Sequence, residues 1–509
     1  MSKHYDVVVL GSSLGALAAA ALLARRSWRV LVLGHDHRAS TYKYDGVTLS
    51  RRPFTLLAHA SPAWGRILVE LAQSQTFRRR VSPLEPMFQV LGPRLRLDVP
   101  PDAALFGREI DREFPEVRRV VDDLYAELGR TNAAADAAFD KDVVWPPGGF
   151  WERRETARVA ATLPHLRDTA AEFLAEFPRD HDYRAVIDVP ARFASDIDEL
   201  PPFALARLHG AWSRGLVRLA GGEAELAEFL LERVRAHGGD TRISDRAAAI
   251  EQRGGKVSGV RIDGDDAAAG VQFVVADLPA LGVLQLAEGF APSRRVLEAM
   301  PRLVPVAHRF VVSAVVHSRG LPALLAAESF LLPTAPLTTP VPRRPVVHLQ
   351  CTRDGETALL VAEALLDDDA LPLEKAREAV LATVEQFLPF LERHYLMVDS
   401  PHDGRPLWDY RSGTRKNVDR ALLRAGGGSL EPEAMIPKWR SDPAQLHGLA
   451  GEPLRTPLTN AFTVGRSALP ALGQEGELLA AWSASRIITR TDRRKEKMRR
   501  DMWSKVELG

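Results

Sequence analysis

Apolar residues run unbroken from Val7 to Leu10, yield to a short turn of glycine and serine, and resume as a nearly pure Ala/Leu segment from Leu14 to Ala24. Tyr5–Leu10, YDVVVL, has the β-branched continuity of a parallel strand buried on both faces. The Ala/Leu segment that follows is built from the strongest helix formers. Arg29–Leu33, RVLVL, supplies a second strand. A strand, a tight turn, a helix and a second strand within about 30 residues form the dinucleotide-binding arrangement, in which small residues admit a pyrophosphate and the helix N-terminus offers it unpaired N–H groups.

Measured against G-x-G-x-x-G/A, the turn has Gly11 at the first position, Ser13 at the second and Ala16 at the third, with Leu14 and Gly15 between them. At the end of the second strand, where an acidic residue normally accepts the ribose hydroxyl, stands Gly34; Asp36, two positions on, is a substitute. Residues 7 to 24 are 18 uncharged positions in a row, long enough to raise a membrane span or a signal peptide. Both are rejected. Gly11, Ser12, Ser13 and Gly15 interrupt the run, and Arg25 and Arg26 follow it, whereas a signal peptide carries its positive charge in front.

Further along, Glu223–His237 places apolar residues at 226, 229, 230 and 234, one buried helical stripe, and Gly238 supplies a C-cap. Leu303–His317, Val346–Gln350 and Thr357–Ala364 read as strands, and Leu373–Tyr395 as a long helix. The proline-rich stretch Pro333–Pro345 reads as a loop between strands.

Composition adds limits. The chain has 509 residues, 46% hydrophobic and 26% charged, which makes it globular and sets a prior of two to four domains. Lys plus Arg number 67 against 66 acids, so no chain-wide field favours nucleic acid, and none is expected as a partner. The lone Cys351 and the absence of zinc-ligand spacing point to a reducing, cytoplasmic setting. His35 and His37 flank Asp36 on a short solvated loop, a pattern that does not suggest a metal site. His394 and His402 lie near Asp399 and Asp403, as an acid/base cluster or, more simply, a capped turn. No convincing nucleophile signature is found, which disfavours hydrolysis. The last twenty residues carry eight Lys/Arg against four acids, with Met498, Met502, Trp503 and Val506 on one helical face. This segment fits either an anionic membrane surface or a helix packed on its own domain.

Three blocks then carry a resemblance. Arg38–Pro53, RASTYKYDGVTLSRRP, is similar to a segment of phytoene desaturase-like flavoproteins, within the flavin-containing amine oxidase superfamily, through Arg38, Thr41, Asp45, Gly46 and Pro53. Arg52 replaces the glycine that in the family lies against the flavin. Leu216–Ile243 resembles the family's Gly-Gly turn, helix and second Gly-Gly, through Gly221, Gly222, Leu226, Gly238 and Gly239, and Ala249-Ile250, Gly255-Lys256-Val257 and Gly259-Val260 resemble the strand, turn and strand that return to the cofactor domain. Asn460–Ala480 resembles the carboxy-terminal flavin motif, through Gly465, Pro470, Gly473 and Gly476, with Glu475 inside it and Arg466 where many members are acidic.

The resemblance implies an α/β fold: a Rossmann-like FAD/NAD(P)-binding domain from residues 1–60, 211–290 and 445–488, with an inserted mixed-sheet α+β substrate domain from 61–210 and 291–444, and a basic amphipathic tail at 489–509. It implies FAD, held by Gly11, Ser13, Leu14, Gly15, Ala16, Asp36, Arg38, Arg52, Ala247, Gly465, Arg466, Gly473, Glu475 and Gly476. It also implies a desaturase or dehydrogenase that passes hydride from an apolar, isoprenoid- or lipid-like substrate to flavin, with no general base assigned. The departures at Ser13, Gly34, Arg52 and Arg466 keep a binding or assembly protein without flavin open, and a flavin-dependent polyene isomerase stands as a further alternative.

Overall fold

The computed structural model describes residues 4–167, 172–333, 344–367 and 372–506; most of the proline-rich stretch, 334–343, lies outside the described residues. The first strand, His4–Leu10, is buried from Tyr5 onward because it runs in the middle of a seven-stranded sheet. It pairs in parallel with Val30–Leu33 on one side, Leu10 facing Leu33, and with Ala269–Ala276 on the other, Leu10 facing Ala276. Asp240–Arg242 extends the first side. The antiparallel pair Ala247–Arg253 and Lys256–Ile262 extends the other, and Ala461–Thr463 adds to the end of Ala269–Ala276 in parallel. Three stretches far apart in the chain therefore share one sheet.

The helix Leu14–Arg25 is buried on every side, from Gly15 to Ala24. It packs on the sheet beneath and against the helices Gly222–Ala236 and Gly473–Arg490. Such a position requires small side chains all round, which is why the segment lacks an amphipathic pattern. Gly222–Ala236 ends at Gly238, whose φ of 78° makes the left-handed stop expected there.

A ten-stranded sheet forms the second layer system. Its spine is Arg302–His317, paired antiparallel along most of its length with Thr357–Asp367, from Ala307 opposite Asp367 to His317 opposite Thr357. Its other edge is shared by Ile436–Asp442 and Tyr395–Asp399. Helix Leu373–Phe387 covers one face. The sequence pattern extends that helix to Tyr395, but it stops at Phe387. Leu388 precedes Pro389, a position biased away from helix, and Phe390 takes a left-handed φ of 70° before the strand Tyr395–Asp399 begins.

The tail forms the helix Arg493–Val506 and lies on its own domain. The Trp503 ring meets Trp482 at 5.9 Å, and the Lys495 ammonium sits 3.7 Å over the Trp28 ring. No helix among the described residues is long and apolar enough to cross a membrane.

Candidate functional site

Where the carboxyl ends of the parallel strands face the ten-stranded sheet, a cavity of about 970 Å³ opens. Crevices at the carboxyl ends of such strands are the usual ligand sites of open α/β sheets. Here Gly11 to Leu14 follow the first strand, Gly34 to Arg38 the second, and Asp277 the third, and all of them line the cavity.

Of the residues expected from sequence to hold a cofactor, Gly11, Ser13, Leu14, Asp36, Arg38, Arg52, Arg466 and Gly473 line this cavity. The other six lie outside the lining. Gly15 and Gly476 are packing glycines: a Cβ on Gly15 would stand 2.2 Å from the Val464 carbonyl oxygen, and one on Gly476 would stand 2.3 Å from that of Leu469. Ala16 is buried in the helix interior. Gly465 turns against Asp277, with its Cβ position 2.0 Å from Oδ1. Ala247 is core, its N–H donating to Nδ1 of His35 at 3.3 Å. Glu475 faces away and accepts two bonds from buried Arg207, at 2.7 and 2.6 Å, and one from the Ser61 hydroxyl at 2.6 Å.

Asp277 ties the two glycine turns together. A Cβ on Gly11, whose φ is 113°, would lie 2.4 Å from the Asp277 Cβ, and Gly465 abuts the same carboxylate. The Asp277 N–H donates to Leu10 O at 2.7 Å, which fixes the aspartate at the strand end. Its Oδ2 accepts from the Ser13 N–H at 3.1 Å. One residue pair further into the helix, Glu477 Oε2 accepts from the Gly15 N–H at 3.0 Å, and the Ser13 hydroxyl caps the Ala16 N–H at 3.3 Å. Burial raises the Asp277 carboxyl to about 6 against the bonds from Ser13. Burial, aided by the charge of Asp277, raises Glu477 to about 8.

The rest of the lining is heavily charged. Arg52 forks onto Glu223 with two bonds of 2.7 Å. Arg38 and Arg51 share Glu433, at 3.3 and 3.1 Å. Arg309 bridges Glu363 at 3.0 Å and Asp196 at 3.5 Å, and Arg466 pairs with the same Asp196. Nη1 of Arg51 and Nε of Arg309 are buried without a hydrogen-bond partner. The lining holds seven carboxylates against five arginines.

Gly34 could not be acidic in this fold: a Cβ there would lie 1.8 Å from the Ile243 carbonyl oxygen. Asp36, its expected substitute, reaches Arg246 at 3.1 Å on the exposed rim. His37 Nδ1 lies 2.6 Å from the Ser12 hydroxyl. The four residues of the HYLMVDSPHDG segment separate. Asp399 and Asp403 are buried on Arg377, and Asp399 also on Arg420. His402 turns into the cavity, with Nδ1 3.0 Å from Glu433 O, and His394 packs against Gly320 away from it.

Sequence reasoning passed over Asp277, Glu477, Asp196, Arg309, Glu363 and Glu433. Asp277 had a local signal, since it directly follows an apolar strand, VQFVVA, within the segment assigned to the cofactor domain. Arg309 and Glu363 are paired only by the register that sets Val311 opposite Glu363 and Arg309 opposite Leu365.

Residues 9–71 match the NAD(P)-binding Rossmann-like domain. No curated protein matches the chain in sequence. In structure it is similar to an oxidoreductase from Methanosarcina mazei, with a TM-score of 0.55 and 16% identity, covering 94% of this chain and 99% of that one. It is similar to cyclohexylamine oxidase from Brevibacterium oxydans, with a TM-score of 0.53 and 16% identity over 96% and 99% of the two chains. A putrescine oxidase redesigned in its cofactor binding gives 0.55 and 14% over 97% and 100%. At these identities the likeness is one of fold, a mixed α/β architecture with a Rossmann-like domain.

Proposed function

We propose that the protein is a flavin-dependent oxidoreductase that holds FAD in the cavity between its two sheets. The observation that carries this reading is the convergence of the amino-terminal and carboxy-terminal glycine turns on Asp277, at the mouth of a cavity formed by three parallel strand ends. The cavity suits an elongated dinucleotide. The helix starting after Ser13, with Arg38 and Arg466, offers the positive end for phosphate, and Gly473 and Gln474 open a second helix at the far wall for the ring. FAD, when bound, supplies the hydride acceptor. The protein positions the partners and shields them from water.

For the substrate, the side of the cavity given by the second sheet and its loops is the relevant wall. Arg309, His348, Glu363, His402 and Glu433 stand there, with Val311, Ala434 and Ile436 as the apolar part and the Phe193 and Trp212 rings packed against His348. The polar groups are paired within the protein, and a polyene would bring them no hydrogen-bonding partner while desolvating their charges further. We therefore assign a polar substrate in place of the isoprenoid expected from sequence, which sets aside the polyene isomerase as well.

The flavin-free scaffold has one observation in its favour: the loop amides of Ser13 and Gly15 already serve Asp277 and Glu477. The absorption spectrum of the purified protein, before and after incubation with FAD at pH 6, decides. Flavin bands that survive gel filtration are expected. Their absence under both conditions would overturn the oxidoreductase reading. Anaerobic bleaching of the bands by amines, amino acids or hydroxy acids, and not by carotenoid precursors, tests the substrate assignment.

A further inference from the structure

A helix N-terminus attracts anions because its first N–H groups lack partners. At the start of the helix Leu14–Arg25 three of the amides are already served by the protein itself. The Ser13 N–H is bound to Asp277, the Gly15 N–H to Glu477, and the Ala16 N–H to the Ser13 hydroxyl. The two carboxylates come from distant parts of the chain, the end of strand Ala269–Ala276 and the second turn of helix Gly473–Arg490. Both side chains line the cavity, so they stand where a ligand phosphate would seek the same donors.

We propose, resting on the flavoprotein reading above, that Asp277 and Glu477 keep the dinucleotide loop self-capped, and that FAD loads only as both side chains release their amides in neutral form, so that cofactor binding takes up protons. Geometry requires the release, because one N–H cannot be given fully to a carboxylate and to a phosphate. Charge requires the neutral form. A pyrophosphate beside two ionised carboxylates adds like charge to a lining already richer in acids than in arginines. The groups facing the pair are few. Arg466 acts on both carboxyls, Asp196 acts on Glu477 but is bound to Arg466, and Ser13 reaches Asp277. The remaining charge on Glu477 comes from Asp277 itself. Among the described residues Arg466 is the cation that acts on both members of the pair, and it is already engaged. The raised positions of both carboxyls, about 6 and about 8, put the proton uptake in an accessible range.

The test is FAD binding to the full-length apoprotein, followed by quenching of flavin fluorescence between pH 6 and 9. For the wild type, Kd is expected to loosen by about tenfold per pH unit for each proton taken up. Calorimetry at pH 7.5 in two buffers of different ionisation enthalpy should show net proton uptake. Asp277→Asn and Glu477→Gln should each tighten FAD at pH 8.5 by about 10- to 100-fold, the scale of a hydrogen bond to a charged group, and the double variant should bind independently of pH. Should the variants fold poorly, the wild-type pH profile and the buffer dependence still decide. A wild-type Kd that stays flat from pH 6 to 9, or variants that bind no tighter, would overturn this inference and leave the flavoprotein reading in place. No FAD binding by any form at any pH would remove both.

Discussion

Glu475→Ala separates a cofactor ligand from a strut. In the structure Glu475 accepts two bonds from Arg207, at 2.7 and 2.6 Å, and a third from Ser61 at 2.6 Å, and Arg207 is 2% exposed. Breaking a buried ion pair by removing one partner typically costs about 3–5 kcal/mol, because the surviving charge is left desolvated. Arg207 keeps one other carboxylate, Asp136 at 2.7 Å, which is itself partly exposed. The lower end, about 3 kcal/mol, is therefore expected for the alanine variant. Urea unfolding followed by tryptophan fluorescence should show it as a lowered midpoint at unchanged slope. The double variant Arg207→Met/Glu475→Met should lose less than Glu475→Ala alone, since the buried charge and its desolvation cost leave together. FAD affinity should stay within about twofold of wild type, as Glu475 does not line the cavity. A Glu475→Ala protein of normal stability with flavin affinity reduced tenfold or more would refute this argument and return the residue to the cofactor.

Three further outcomes are expected. Gly34→Glu should lower stability without improving FAD retention, because its Cβ would meet the Ile243 carbonyl at 1.8 Å; tighter flavin binding at an unchanged melting temperature would contradict this. His209, fully buried with Nε2 2.9 Å from the Tyr125 hydroxyl, is pushed by burial down to about 3. The unfolded chain then binds its proton first, so stability is intact above about pH 6.5 and declines as pH falls toward 3, by at most roughly 5 kcal/mol. His209→Phe should flatten unfolding free energy against pH in that window, and an unchanged slope would count against it. Trp503→Ala should cost about 2 kcal/mol through its lost contact with Trp482 while leaving sedimentation with anionic vesicles unaltered. Vesicle binding that disappears at unchanged stability would instead support the membrane role of the tail.

The parts of the fold that sequence reasoning reached are those specified locally. The strand at Tyr5, the Ala/Leu helix and the capped helix ending at Gly238 each declare themselves by period and punctuation within a dozen residues. Apolar spacing after Leu373 continues past Phe387 and so predicts a longer helix than the one Pro389 ends. The site was reached only in part, for a different reason. Motif matching finds glycines, and it does not separate those that line the cavity, such as Gly11 and Gly473, from those packed away from it, such as Gly15 and Gly476. Likewise Glu475 sits within a flavin-like motif yet points to the opposite side of its helix from Glu477, which does line the cavity. Asp196, Arg309 and Glu433 belong to elements joined only by sheet register and loop packing, information that no local window contains.

The acid at the end of the third parallel strand carries a consequence for the empty protein. A nucleotide-binding turn that brings its own counter-anions has no need of its ligand to stay ordered. Loss of cofactor and loss of shape are then separate events. The apoprotein should be a well-folded species whose amide protons at Ser13 and Gly15 exchange slowly with solvent, ready to be refilled without first having to refold.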